Sequence, residues 1–417
     1  MGKKKVLVLA ENINYNRTSS GIRSFNLLNL LSTKYDVTCI CYEAFSPEAE
    51  WQLPDVKIEV LERKEKLATP WELLDKIWKV RTIPAYVTGL SLWHYRLIQD
   101  WNKTVYKHLS NNDVVFIYVL GTGHDFNVHH AVARLKVEVP IMAHIHDPYP
   151  FNQYPEPYRQ YKFLYSRMAS QFKRVIRNVD FVSFPSLYLK DWMSRFYPEI
   201  DKKHLIIPHP ECIADYSNIA CPKSFDKLDD SQFILMHLGS LLKERNPIHL
   251  LKAFKRFCQS DPEKKEKAFL YIIGRINNEY VDLIQDKQGA AENIQSINSR
   301  VTYPQTKQIM TKATALIILE AISEFSPFMP GKISDYLMAD KPIVALTPLK
   351  SEVSRLLGGD YSHKTEVNDE DEILRILNDL WQQWKQNKNL KMNRSDLKTY
   401  ISVEKSLEVF EKIEKTS

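Results

Sequence analysis

The segment Pro330-Gly331-Lys332 stands immediately before a run whose apolar residues Ile333, Leu337 and Met338 fall at helical spacing. The free backbone N–H groups of a helix start attract an anion, Gly331 permits a close approach, and Lys332 adds a positive charge at the same point. Asp335 lies in the first turns, where its carboxylate can accept from ribose hydroxyls or simply complement the helix dipole. Upstream, FILMHLG (233–239) ends at Gly239 and runs into SLLKERNP, which presents Lys243 and Arg245 before Pro247 opens another helix. A basic side chain fixed there can pair with a phosphate, and arginine can do so bidentately.

The first half of the chain has its own candidates. The strand VLVLA (6–10) leads into a stretch containing Ser19, Ser20 and Gly21, small residues that let a ligand lie close to the backbone. The strand IMAHIH (141–146) delivers His146 and Asp147, a pairing suited to acid–base work or to contacts with sugar hydroxyls. His144 and His146 share a strand face, yet no third metal ligand stands nearby. Two apparent nucleotide motifs fail on inspection. Ser326 replaces the first glycine of a P-loop and Ile333 its Ser/Thr, while Phe126 takes the third-glycine place after Gly121-Thr-Gly123.

These residues require elements to hold them. Apolar runs at 6–10, 37–42, 114–119, 141–146, 181–186 and 205–209 alternate with amphipathic stretches, and the rhythm restarts at 233–239, 269–274, 315–321 and 343–348. Near-continuous apolar strands alternating with helices indicate parallel sheets covered on both faces. With 417 residues, the restart predicts two similar α/β domains, 1–207 and 208–398, followed by a C-terminal helix over 399–417. The polar stretch from Pro208 to Ser231 is the expected hinge. Open parallel sheets bind ligands beyond the C-terminal ends of their strands, where every candidate above falls.

Composition excludes several classes. The apolar fraction of 44% and charged fraction of 26% are those of a folded globular chain, and a net charge of +6 with interspersed acids argues against a dedicated nucleic-acid binder. Cys39, Cys41, Cys212, Cys221 and Cys258 form neither a Cys-x-x-Cys pair nor an even disulfide set, which fits a reducing cytoplasm. The opening MGKKKVLVLAENIN has too short an apolar stretch for an export signal, Val6 stands where a myristoylation motif needs Ser or Thr, and no run is long enough to span a bilayer. The expected location is therefore the cytoplasm. The stretch from Trp71 to Trp101 interleaves Trp71, Trp78, Tyr86, Trp93, Tyr95 and Trp101 with Lys76, Lys79, Arg81 and Arg96. It reads either as a surface meeting a membrane or lipid-linked substrate, or as helices packed on the first sheet.

In order and spacing, SSGIRSFNL, HDPYP, SLYLKDWMSRFYP, LIIPHP, LGSLLKERNPIHLLKAF, LYIIGRI and PGKISDYLMADKPIVAL resemble the two-Rossmann (GT-B) glycosyltransferases, especially the retaining family-four group. The resemblance covers nearly the whole chain and implies two Rossmann-like domains facing each other across a cleft, with the C-terminal helix returning toward the first. It implies transfer of a sugar from a UDP- or GDP-linked donor to a glycan or lipid-linked acceptor, with retention, in surface or secreted polysaccharide synthesis. No metal or other cofactor is implied. An epimerase or hydrolase on the same fold, or a non-catalytic nucleotide-sugar binder, are the alternatives.

By position, Arg245, Gly331 and Lys332 match the diphosphate-binding residues, and Gly239 the strand-ending glycine, while Ser240 replaces an arginine often found next. Asp335 matches the second of the family's paired glutamates. The first falls at Pro327 and is absent, with Glu324 nearby as a substitute. Arg275 matches a position near the nucleobase, and Ser20, Gly21, His146 and Asp147 positions near the sugar and acceptor.

Overall fold

The computed structural model describes residues 2–16, 18–43, 53–61, 78–110, 113–121, 126–216, 218–225, 228–285, 291–298 and 301–415. The chain divides into two compact units: Met1–Ile213 with Ile401–Ser417, and Ala214–Tyr400. Each is built on one wholly parallel sheet.

The first sheet has seven strands: β1 (Lys5–Asn12), β2 (Asp36–Glu43), β3 (Val56–Val60), β4 (Val114–Leu120), β5 (Ile141–His144), β6 (Phe181–Phe184) and β7 (His204–Ile206). Their order is β3-β2-β1-β4-β5-β6-β7. Parallel neighbours cannot be joined by a tight turn, so each connection must cross a face. The central strands are consequently buried on both sides, which is why β1 and β4 read as unbroken apolar runs. Leu7, Leu9, Ile117, Val119 and Ala143 point into one core, where they meet Phe126, Phe172 and Tyr149.

The opposite face of this sheet is covered in part by the end of the chain. The helix Val403–Glu414 places Phe410 stacked on Phe116 (centroids 5.8 Å apart) and edge-on to Tyr118 at 5.1 Å. Glu411 and Glu414 pair with Lys34 and Lys4. The C-terminal helix thus belongs to the first unit, as anticipated.

The second sheet has six strands: β8 (Phe233–Leu238), β9 (Ala268–Ile273), β10 (Ile294–Ile297), β11 (Ala315–Leu319), β12 (Ile343–Leu346) and β13 (Lys364–Thr365), in the order β10-β9-β8-β11-β12-β13. Helices Ile248–Gln259 and Glu370–Gln386 close one face around Phe233, Phe257, Trp381 and Trp384. All ten strands read from the apolar runs are present. The three that were not, β3, β10 and β13, lie at sheet edges. Their half-exposed sequences VKIEV, IQSI and KT carry no continuous apolar signal.

In both sheets the strand order reverses beside the first strand of the unit, between β1 and β4 and again between β8 and β11. Neighbouring connections leave in opposite directions at such a point and open a crevice at the C-terminal strand ends. No helix among the described residues is long and apolar enough to cross a membrane.

Candidate functional site

The crevice between β8 and β11 is shaped by one side chain. Tyr336, 1% exposed, projects from the helix Lys332–Ala339 into the gap where the two strands part. Its hydroxyl accepts from Leu238 N at 3.2 Å and donates to Ile317 O at 3.4 Å, standing in for missing ladder bonds. Lys332 lies four residues earlier, on the same helical face, so the tyrosine anchor also aims the lysine. The lysine ammonium reaches back over the end of β8 and donates to His237 Nε2 at 3.4 Å. A Cβ on Gly239, whose φ is +127°, would stand 3.1 Å from Lys332 Nζ, so this glycine leaves the ammonium its space.

The electrostatics of the cluster are one-sided. Lys332 is pushed well below the usual lysine range, first by burial and then by the Arg245 guanidinium. His237, 1% exposed, is likewise driven far below its ordinary value by burial, then by Lys332 and Arg245. It is therefore neutral, with its Nε2 lone pair available to the ammonium. Arg245 Nε is buried without a hydrogen-bond partner. Two cations and an uncharged imidazole thus converge at a strand-end crevice, beside a helix start that no side chain caps. Basic groups drawn together and partly withdrawn from water, beside free helix N–H groups, favour an arriving anion there.

The nearby acid is Glu320, directly after β11 and 5% exposed. Ser326 Oγ donates to it at 2.8 Å and Thr347 Oγ1 donates to its other oxygen. Burial raises its pKa, against the opposing pull of those hydrogen bonds and of Arg245. Through Ser326, which also exchanges backbone bonds with Lys350 and Glu352, it ties down the loop leading to Gly331.

Sequence reasoning passed over both His237 and Glu320. Each closes an apolar strand sequence, and a polar residue ending a buried parallel strand was the available signal.

Other expected donor contacts are placed differently. Asp335 Oδ1 accepts from Tyr303 Oη at 2.8 Å and pairs with Lys307, whose side chain is 4% exposed. The carboxylate expected at a ribose is thus engaged in a buried ion pair that anchors the Lys332–Ala339 helix to Tyr303–Thr311. Glu324, the substitute for the missing glutamate, is exposed in the loop, and the buried carboxylate of this region is Glu320 instead. Ser240 and Arg275 are exposed at the ends of β8 and β9, where Arg275 O accepts from Leu241 N at 2.9 Å. Lys243 pairs with Glu279 at 2.8 Å, which leaves Arg245 as the inward-facing cation of that loop.

In the first unit, His146 follows β5, is 8% exposed and stacks on Phe126 with centroids 5.7 Å apart. Its Nε2 stands 3.3 Å from Asp147 Oδ2. Burial, then Arg23, then His144 hold it well below its normal pKa, so the ring is neutral. Arg23, which the sequence did not single out, donates to Gly121 O at 2.9 Å. Burial lowers it to about 10 despite the opposing influence of Asp147. No group of three or more potential metal ligands occurs among the described residues.

Ser20 Oγ lies 2.9 Å from the Thr18 hydroxyl that caps the helix Ser19–Lys34. Gly21 faces protein: a Cβ there would stand 2.1 Å from the Asn14 carbonyl oxygen. Its missing side chain accommodates the β1 loop. Gly21→Ala is therefore expected to lower stability by ~1–3 kcal/mol through overpacking, read as a fall of several degrees in Tm. An unchanged Tm would contradict this packing role.

The two parallel sheets, each with a switch point beside the first strand of its unit, define the two-Rossmann, GT-B fold class. No family model and no curated relative matches the chain. Among solved structures, Anabaena HepE in complex with UDP and glucose superposes with a TM-score of 0.62 at 12% identity, covering 98% of this chain and 99% of that one. An α,α-trehalose-phosphate synthase (UDP-forming) from Burkholderia vietnamiensis gives 0.63 at 13% identity, over 100% of this chain and 99% of that one. An E. coli trehalose-6-phosphate structure bound with UDP-2-fluoro glucose gives 0.62 at 12%, over 99% of each. At such identities the likeness establishes the fold.

Proposed function

We propose that this chain is a glycosyltransferase. It moves a sugar from a nucleoside-diphosphate sugar to a hydroxyl of a glycan or lipid-linked acceptor, with retention and without a metal, in surface or secreted polysaccharide synthesis. The observation that carries this reading is the convergence of Lys332, Arg245 and neutral His237 on the crevice between β8 and β11. Two proteins of the same fold, Anabaena HepE and the E. coli protein, were solved with UDP or a UDP-sugar, which supports a nucleoside diphosphate as the anion.

The chemistry follows from the charges. Breaking the sugar–phosphate bond places negative charge on the departing diphosphate, and fixed cations stabilise that charge without reorganising. Lys332, Arg245 and the N–H groups around Gly331 serve this role, with His237 fixing the ammonium and Glu320 the loop. On the first unit, His146 and Asp147 serve the acceptor hydroxyl or the transferred sugar. A neutral imidazole paired with a carboxylate is suited to hold and orient such a hydroxyl.

Thermal unfolding in the presence of UDP, GDP, ADP and CMP, with and without EDTA, tests the donor site. A ligand at one hundred times its dissociation constant adds ~2.7 kcal/mol to stability. The expected result is a rise in Tm with one diphosphate, unchanged by EDTA and lost in Arg245→Ala. Failure of every nucleotide to shift Tm would overturn the reading.

A further inference from the structure

Between Glu156 and Asp180 the chain carries Arg159, Lys162, Arg167, Lys173, Arg174 and Arg177 and no acidic residue. Most of this stretch is the helix Leu164–Asn178, which buries Tyr165, Phe172, Val175 and Ile176 and turns its basic residues outward. The three most exposed large apolar side chains among the described residues are Tyr161 (75%), Phe163 (71%) and Val87 (67%).

All three lie on one region. Val87 belongs to the helix Trp78–Thr88, which packs against Leu164–Asn178. The following Gly89 lies so close to the Arg167–Met168 backbone that a Cβ would stand 2.7 Å from it. Ile83 and Tyr86 of the same helix are also exposed, and its sequence contains Lys79 and Arg81 without an acid.

Charge balance from neighbouring elements is confined to one end of the patch. Glu199 pairs with Arg177 at 3.1 Å and its charge also senses Lys173. Arg159 donates to Tyr154 O, while the exposed Lys162, Arg167 and Arg174 form no ion pair among the described residues. Among the described residues, cations without an ion pair therefore lie on the segment that carries Tyr161 and Phe163.

We propose that Tyr161, Phe163 and the exposed face of Trp78–Thr88, rimmed by Lys162, Arg167 and Arg174, form a docking surface for an anionic lipid bilayer. Apolar side chains enter the headgroup boundary while Lys and Arg keep their charges at the phosphate level. Aliphatic Ile83 and Val87 among the exposed groups favour a lipid boundary over stacked nucleic-acid bases, which require aromatic platforms. Of the aromatic–basic stretch at 71–101, residues 71–77 lie outside the described structure. Trp101 is buried against Tyr42, and Arg134 lies over the Tyr95 ring, so this part of the stretch packs into the first unit. The surface is independent of the donor-site assignment.

Cosedimentation of the full chain with phosphatidylcholine vesicles, with and without phosphatidylglycerol, is the test. Each basic residue near an anionic surface strengthens binding roughly fivefold, so wild type should favour the anionic vesicles by at least about tenfold and release them in high salt. Tyr161→Ser/Phe163→Ser and Lys162→Glu/Arg167→Glu should each lose this binding with Tm and the nucleotide-induced Tm shift unchanged. A charge reversal elsewhere, Lys265→Glu/Lys312→Glu, should retain it. Equal binding of wild type to neutral and anionic vesicles, no binding to either, or full binding by both surface variants would overturn the proposal. So would saturable binding of single-stranded poly-uridylate that displaces the vesicles.

Discussion

Lys332→Met is expected to lower kcat/KM for sugar transfer by roughly 10²–10³-fold, equivalent to ~3–4 kcal/mol of lost charge stabilisation, while leaving Tm unchanged or higher. The two effects have opposite signs because the lysine is a part-buried amine, held below its ordinary pKa by burial and Arg245, that meets a neutral imidazole at 3.4 Å. Replacing a group whose pKa folding depresses by an apolar side chain of similar length removes a destabilising feature of the free protein. A lysine needed only for folding would instead lower Tm when removed.

The pH dependence follows from the same environment. In the free protein burial and Arg245 push Lys332 well below the usual lysine range. A bound diphosphate supplies opposite charge and raises it again. Between those two values, binding takes up a proton, so affinity falls as pH rises through that window. Calorimetry in buffers of different ionisation enthalpy would show the uptake in wild type and its loss in Lys332→Met. Transfer within about threefold of wild type in the variant, far short of the effect expected for a lost transition-state contact, would remove Lys332 from the site.

What could be read in advance follows the physics of burial. Central parallel strands have two covered faces, so β1, β4, β8 and β11 stood out as apolar runs, and their C-terminal ends located the candidate residues. Edge strands have only part of that constraint, and β3, β10 and β13 escaped notice. The position of Lys332 was legible because Gly331 and a helical period flank it.

Its partners were not legible. His237 lies ninety-five residues away in the chain, and only the crossing of β8 beneath the Lys332–Ala339 helix brings the two together. The fate of Asp335 was hidden for the same reason. By resemblance it stands where the second of the paired glutamates falls, but the carboxylate's environment depends on Lys307 and Tyr303 from a separate helix. Spacing predicts where a side chain starts, and long-range packing decides what it meets.

The two strand-ending glycines of the second unit separate folding from function in a way one substitution cannot. Gly274 has φ +133°, and a Cβ there would stand 2.6 Å from the Gly239 carbonyl oxygen and 2.7 Å from its carbon. Both neighbours are backbone atoms, fixed by Gly239 N donating to Ile273 O at 2.8 Å and Leu241 N to Arg275 O at 2.9 Å. Gly274→Ala thus combines a strained backbone conformation, costing on the order of 1–3 kcal/mol, with a clash that nothing flexible can relieve. A total loss of about 3–5 kcal/mol is expected, which corresponds to a fall in Tm on the order of 10 °C for a unit of this size.

Gly239, at φ +127°, carries comparable backbone strain when replaced, but its added Cβ would meet only the end of the Lys332 side chain, at 3.1 Å. The flexible ammonium can move aside, and in moving it leaves the place proposed for the diphosphate. Gly239→Ala should therefore lose less stability than Gly274→Ala while losing nucleotide affinity out of proportion to its change in Tm. Its effect on affinity should also disappear in a Lys332→Met background, where no ammonium remains to be displaced. Undiminished additivity of the two substitutions would mean that Gly239 acts on the nucleotide directly and that the lysine is not the group it makes room for.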